Sequence, residues 1–310
     1  MIAGLTRIVR DVGLAEELAQ DALVTALEQW PSAGIPDNPA AWLMATAKNR
    51  ALNLLRHGKM LQRKHHELGR ELTESSACEQ LIERLETAMD DDVGDDLLRL
   101  IFIACHPILP TEARVALTLR LLGGLTTDEI ARAFLQPEPT IAQRIVRAKR
   151  SLSEKNVPFE VPRGAELGER LASVLEVVYL IFNEGYSATA GDDAMRPALC
   201  EEAMRLGRVL ARLAPNEPEV HGLVALMEIN ASRNAARTSA SGEPVLLLEQ
   251  DRGRWNTLLI NRGLAALERA QSLSQAPGPY VLQASITACH ARAHTPEATD
   301  WPRIAALYAE

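Results

Sequence analysis

The chain has 310 residues, 47% hydrophobic and 24% charged, with a formal net charge of −8. That length holds two or three domains, and the composition excludes a disordered chain. No apolar run approaches the ~18–20 residues needed to span a bilayer, and the start, MIAGLTRIVRDVG, lacks the apolar core of a signal peptide. No membrane segment and a cytoplasmic location are therefore expected. Aromatics make up 4%, while Ala, Leu and Arg abound, which predicts an all-α fold. Cys78, Cys105, Cys200 and Cys289 lie far apart with no CxxC pair. Neither a disulfide framework nor a metal site is expected, and no cofactor is implied.

The first block runs from Leu5 to about His57. In DVGLAEELAQDALVTALEQW the apolar positions Leu14, Leu18, Leu23 and Leu27 have helical spacing. PSAGIPDNP then breaks the chain with three prolines and a glycine. AAWLMATAKNRALNLLRH resumes as a helix with Trp42, Leu43, Ala47, Leu54 and Leu55 on its apolar side. Its polar side carries Lys48, Asn49, Asn53 and Arg56. From Gly58 to Gly94 the sequence reads as a linker with some helix. It contains Glu74 to Asp96, with nine acids and one base. Without that stretch, residues 1–163 are net positive at +5. Such segregation points to separate surfaces for separate partners.

The second block, from about Asp95 to Asn156, opens with the apolar helix DDLLRLIFIACHPILP and continues with TEARVALTLRLLGGL. Thr111 is the expected cap of the latter, and Gly123–Gly124 its end. Thr126 and Glu129 then match a capping box, and Pro139 suits the first turn of the next helix. On a helix from Thr140 to Leu152, Ile141, Ile145, Ala148 and Leu152 form one stripe. Thr140, Gln143, Arg144, Arg147, Arg150 and Ser151 fall opposite. Arginine binds phosphate in bidentate fashion or reads guanine, and glutamine reads adenine. A short turn between a capped helix and a basic-faced helix makes a helix-turn-helix. Leu135 stands where such turns often have Gly.

From about Val161 a third block is helical throughout. It contains a helix pair around APNEP and further breaks at SGEP, QAPGP and HTPEATD, resembling a helical-repeat array without a clean period. Residues 164–310 hold 13 Lys+Arg and 18 Asp+Glu. Asn183, Glu184, Tyr186, Asp251, Arg252 and Trp255 sit in motif-like strings. The block has no phosphate loop, metal-ligand spacing or GxSxG, so no catalytic residue is assigned and the chain is not expected to be an enzyme. Glu184 and Asp251 are expected to pair with Arg252 or Arg254 and fix helix packing.

Three stretches in order carry a resemblance. AEELAQDAL (Ala15 to Leu23), NPAAWLMATAKNRALNLLRH (Asn38 to His57) and LTTDEIARAFLQPEPTIAQRIVRAKRSL resemble, respectively, the polymerase-binding, downstream-element and upstream-element segments of bacterial extracytoplasmic-function (ECF) sigma factors. The resemblance covers roughly residues 5 to 156. VYLIFNEGYSA, EQDRGRWN, GPYVLQASITACHA and TDW resemble the group of these factors with a C-terminal, tetratricopeptide-like extension. The implied organisation is sigma region 2 at 1–58, lacking its first helix, a linker at 59–94, region 4 with the helix-turn-helix at 95–157, and a helical extension at 164–310, cut short. Glu17, Gln20 and Asp21 match positions that dock on a coiled coil of the polymerase's largest-subunit pair. Asn49 matches a contact to an unpaired promoter base, with Arg50 and Arg56 beside backbone phosphates. Trp42 is expected in the core, and Asn53 departs from the family's usual Asp. Arg144 and Arg147 match the positions that reach base edges and phosphates, flanked by Thr140, Gln143 and Arg150. The acidic linker is implied to pass through the polymerase's RNA channel.

The implied function is an initiation factor that recruits core RNA polymerase to a two-element promoter. Its partners would be core polymerase, promoter DNA and, through the extension, a small YCII-related protein. The extension motif residues would then be regulatory or structural. The alternative is a stand-alone helix-turn-helix regulator whose helical domain senses a ligand or partner.

Overall fold

In the computed structural model, residues 1–66, 93–187, 195–239, 243–274 and 276–309 are described. Excepted are the side chains of residues 55–66, 93–95, 165, 187 and 195–196. All regular elements among them are helices. The first seven are α1 (Ile2–Val9), α2 (Val12–Ala33), α3 (Pro39–His66), α4 (Val93–Ala104), α5 (Thr111–Leu121), α6 (Thr127–Ala133) and α7 (Glu138–Glu154). The rest are α8 (Ala165–Ser187), α9 (Met195–Leu213), α10 (Pro218–Ala231), α11 (Thr257–Leu273), α12 (Pro279–Arg292) and α13 (Trp301–Leu307). They form two compact units, 1–104 with 146–163, and 105–145 with 164–310. The stretch 95–157 is thus shared between the two units rather than forming a body of its own.

In the first unit, α1, α2 and α3 pack around Leu5, Leu18 and the alanines Ala15, Ala19, Ala22, Ala47 and Ala51. Small residues at these spacings let the helix backbones approach, and the two buried leucines contribute about 1.5–3 kcal/mol each. Asp11 starts α2 by accepting from the Leu14 N–H at 2.8 Å. Of the four leucines at helical spacing, Leu14 and Leu18 face this core. Leu23 and Leu27 do not and lie exposed, because alanines take the inward positions. Likewise Leu54 is exposed, while Leu43 packs on the core.

Two boundaries differ from the sequence reading. Helix α2 runs through Pro31 to Ala33. A proline in the last turn removes only one ladder bond, and the chain turns at Gly34 (φ 83°), whose N–H closes onto Trp30 O. Helix α3 continues past Gly58 to His66, because Lys59–Met60–Leu61–Gln62–Arg63–Lys64 are all good helix formers. The acidic residues Glu74 to Asp92 lie outside the described residues. Asp96, last of that run, is a buried residue of α4, where it pairs with Arg7 at 3.1 Å and Arg99 at 3.0 Å.

In the second unit consecutive helices pack in pairs, α8 with α9, α10 with α11 and α12 with α13, as a helical-repeat array requires. Helix α10 is buried along most of its length. With α11 and α12 it builds a core of Ala225, Leu226, Ile229, Leu267, Ala270, Val281, Ala284 and Ala288. Gly222 permits a close approach of α10 to α12: a Cβ there would stand 2.7 Å from the Val281 backbone nitrogen. Glu219 fixes the start of α12, accepting from Tyr280 N at 2.8 Å and Val281 N at 3.3 Å. Helices α5 and α6 belong to this unit. Thr111 is the first residue of α5 rather than its cap; the cap position is Pro110. Its hydroxyl instead accepts from Arg114 at 2.7 Å. Arg114 is only 10% exposed and also donates to Ser173 Oγ (2.5 Å) and Glu176 Oε2 (2.9 Å) on α8. The Ser173 hydroxyl in turn donates to Cys105 O at 2.5 Å. A buried cation with three acceptors therefore ties α5 to α8, where a lone buried guanidinium would be costly.

Candidate functional site

The helix-turn-helix is built by local rules. The Thr126 hydroxyl accepts from the Glu129 N–H at 3.2 Å, and the Glu129 carboxylate accepts from the Thr126 N–H at 2.7 Å, completing the capping box. These bonds hold the Glu129 carboxyl below its usual pKa. After α6 the chain reverses at Leu135, whose φ of 50° is left-handed and whose side chain is 71% exposed. Helix α7 then runs with Pro139 in its first turn.

Its stripe of Ile141, Ile145, Ala148 and Leu152 is buried. Opposite it, Thr140, Gln143, Arg147 and Arg150 are exposed and Arg144 is half-buried. The four cations between Arg144 and Arg150 are not equivalent. Lys149 turns inward to pair with the buried Glu16 of α2, and Arg150 is bound to Glu154 at 2.6 Å. Arg144 and Arg147 are left as the cations of that face.

A second face lies on α2 and α3. Glu17 and Gln20 are exposed and Asp21 is half-buried. Gln20 donates to Glu16 at 2.8 Å. Asp21 pairs with Arg50 at 2.6 Å, and Arg50 also donates to Thr25 Oγ1 at 2.8 Å. Glu17, Leu18, Asp21, Arg50, Asn53 and Leu54 line one open depression of about 390 Å³. Asp21 and Arg50, assigned to different partners in the sequence, are thus one ion pair. Asn49 is exposed on α3. Arg56 falls among the residues whose side chains are not described.

Beside this depression α2 exposes Leu23, Val24 and Leu27, the last to 76%. Sequence reading missed this apolar face because leucine at helical spacing is ordinarily core. The available signal was the run of alanines at the complementary positions. Trp42, expected in the core, is half-buried and meets Trp30 edge-on at 5.5 Å.

In the extension, Tyr186, Arg252 and Trp255 come together through arginines that bind the ends of helices. Arg237 donates to Tyr186 O at 2.5 Å, at the end of α8, with its guanidinium 3.7 Å from the Tyr186 ring centroid. Arg252 donates to His290 O and Ala293 O, both at 2.6 Å, at the end of α12. Arg233, just after α10, donates to Tyr186 Oη at 3.0 Å and to Asn230, and lies 6.0 Å from the Trp255 ring. The Arg252 guanidinium lies 4.9 Å from the centroid of the same Trp255 ring.

Cations at helix C-termini meet the negative end of the helix dipole, which offsets the burial that lowers the pKa of Arg233 and Arg252. The expected carboxylate pairing with Arg252 is corrected: its acceptors are the two carbonyls and, at 3.4 Å, the Thr299 hydroxyl. Asp251 instead caps the Gly253 N–H at 2.9 Å. Asn183 and Glu184 are half-buried one turn before Tyr186. Arg233 and Arg237 escaped the sequence reading, although basic residues just past a helix end are the usual sign of such capping.

Cys105, Cys200 and Cys289 are buried, and burial raises the Cys105 thiol to about 11 and the Cys200 thiol to about 12. Among the described residues, no cluster of three His, Cys, Asp or Glu side chains is arranged for a metal. Nor is any helix there long and apolar enough to cross a membrane.

Comparison with known families places three models along the chain: Sigma-70 region 2 at residues 2–59, Sigma-70 region 4 at 99–152, and a family of unknown function, DUF6596, at 170–271. An uncharacterized protein of Rhizobium meliloti (strain 1021) is 42% identical over 308 residues, covering 99% of this chain and 71% of that protein. The ECF RNA polymerase sigma-E factor of Escherichia coli (strain K12) is 28% identical over 156 residues, covering 47% of this chain and 76% of that factor. The sigma-E factor of Salmonella typhimurium (strain LT2) is 30% identical over 127 residues, covering 38% of this chain and 61% of that factor. No solved structure matches the chain. The region 2 match falls on α1–α3 and the region 4 match on α4–α7, the helices that carry the two faces. The chain belongs to the ECF-type RNA polymerase sigma factors, with a DUF6596 domain as its C-terminal extension.

Proposed function

We propose that the protein binds core RNA polymerase and directs it to a promoter of two elements, without catalysing a reaction itself. The observation that carries this reading is α7. Its Ile/Ala/Leu stripe is buried, and its opposite face presents Thr140, Gln143, Arg144 and Arg147 to solvent within a matched region 4. Arg144 and Arg147 read base edges and hold phosphates at one element; Arg150, tied to Glu154, contributes less. Asn49 serves the other element. The polymerase docks on Glu17, Gln20 and Asp21 together with the exposed Leu23, Val24 and Leu27, a surface that joins an apolar patch to an acidic edge. Arg50 orients Asp21 for that contact, which replaces a direct phosphate role. The extension motif Asn183, Glu184, Tyr186, Asp251, Arg252 and Trp255 acts structurally, by joining helix ends. The matches give no support to a YCII-related partner, and none is proposed.

The test is promoter binding by the assembled holoenzyme. Arg147→Ala is expected to cost about 1–3 kcal/mol, with relaxed preference at one base position, and Arg150→Ala distinctly less. Binding should fall steeply with salt as phosphate contacts are screened. Equal, small effects of both substitutions would contradict the assignment of this face.

A further inference from the structure

All thirteen basic residues of the stretch 164–310 are arginines, and acids outnumber them by five. Against that acidic background one groove of about 600 Å³ is basic. Its floor is aliphatic, made by Val209 of α9, Val224 of α10 and Ala266 of α11. Arg205, Arg208, Arg212 and His221 line its sides. Arg262 and Arg269 stand four residues before and three after Ala266, on the same face of α11.

Two of these cations have carboxylate partners: Arg205 with Glu202 at 2.6 Å, and Arg208 with the buried Glu228 at 2.6 Å. Arg212, Arg262 and Arg269 are exposed and meet no carboxylate among the described residues. Three unneutralised guanidiniums around an aliphatic floor suit a ligand that carries carboxylates beside leucine-like side chains. Guanidinium forks hold carboxylates in bidentate pairs. Nucleic acid fits worse. The floor has no aromatic ring on which a base could stack, and the net negative extension repels a polyanion beyond the ~10 Å over which the groove's own charge acts.

Arg205 gives the groove a route to the helix-turn-helix. Its Nη2 donates to Leu122 O at 2.8 Å, at the end of α5. Four residues further on, Thr126 opens the capping box of α6. We propose that this groove docks an acidic, leucine-bearing helical segment of a partner protein, and that occupancy is felt at the helix-turn-helix through Arg205. The proposal goes beyond the promoter-directing function, and its test requires neither polymerase nor promoter.

The probe is a fluorescent synthetic peptide of about sixteen residues, long enough to form helix, with leucines at helical spacing and glutamate elsewhere. Its control carries Gln for every Glu. With the full chain, anisotropy should show saturable binding of the acidic peptide only. Affinity should drop about tenfold or more in the R212E/R269E variant and in high salt. Both side chains are exposed and meet no carboxylate among the described residues, and Arg269 makes only a long 3.4 Å bond to Pro215 O, so the variant should keep the parent's circular dichroism and melting temperature. R212Q/R269Q should fall between the two. Hydrogen exchange at residues 122–130 should change on peptide addition. Absence of saturable binding, equal binding of the Gln peptide, or an unchanged affinity in R212E/R269E overturns the docking site. Unchanged exchange at 122–130 overturns the coupling.

Discussion

Leu135 is the residue whose conformation departs most from what its side chain favours. A leucine at φ 50° costs roughly 1–2 kcal/mol relative to glycine, and its 71% exposed side chain recovers little by packing. Leu135→Gly forfeits part of that gain by loosening the unfolded chain, about 0.4–1 kcal/mol. A net stabilisation of about 0.5–1 kcal/mol is therefore expected as a higher melting temperature. A lowered one would show that Leu135 makes contacts that outweigh its strain.

His106 supplies the pH dependence. Its Nδ1 accepts from the Ile108 N–H at 3.1 Å. Burial, with the Arg170 cation adding and Glu166 opposing, lowers its pKa from the usual 6.5 to about 4. Between those values the unfolded chain takes up a proton that the folded one does not, so stability should fall as pH drops through that window. His106→Asn keeps an acceptor and cannot titrate. Melting curves from pH 7 to pH 4 should therefore slope less steeply for the variant, and identical slopes would exclude His106 as the cause.

At the scale of elements, α2 is a helix with two working faces. Alanines and Leu18 pack inward, while Leu23, Val24 and Leu27 face solvent beside Glu17 and Asp21. Leu27→Asp should leave the melting temperature nearly unchanged, since surface substitutions usually alter stability by less than about 0.5 kcal/mol. It should weaken association with core polymerase at least tenfold, as loss of an interface anchor does. A variant that binds polymerase as tightly as the parent would remove this face from the docking surface.

The sequence made the helices legible wherever apolar spacing and caps agreed, as at the Thr126–Glu129 box and the stripe of α7. It misplaced Leu23, Leu27 and Leu54, because periodicity shows that a face is apolar but not whether anything covers it. It stopped α3 nine residues early, at His57 rather than His66, because Gly58 was weighed above the helix formers that follow. Partners across long sequence separations, such as Arg114 with Ser173 and Glu176, or Arg252 with the α12 carbonyls, leave no local pattern to read.

At the scale of the whole molecule, the middle of the matched sigma region 4, residues 105–145, shares one compact unit with the extension. Helices α5 and α6 pack with α8 and α9 in the second unit, through the buried Arg114 network and the Arg205 bond to Leu122 O. The extension is thereby built into the support of the helix-turn-helix.

Charged faces that serve an initiation factor require core polymerase, whereas those of a regulator acting alone require only its operator. The direct measurement is co-elution of the purified full chain with core RNA polymerase, run beside its binding to promoter duplex without polymerase. Stable association with core polymerase, with little binding to free duplex, is predicted. Tight, sequence-selective binding to duplex alone, with no association to core polymerase, would contradict it.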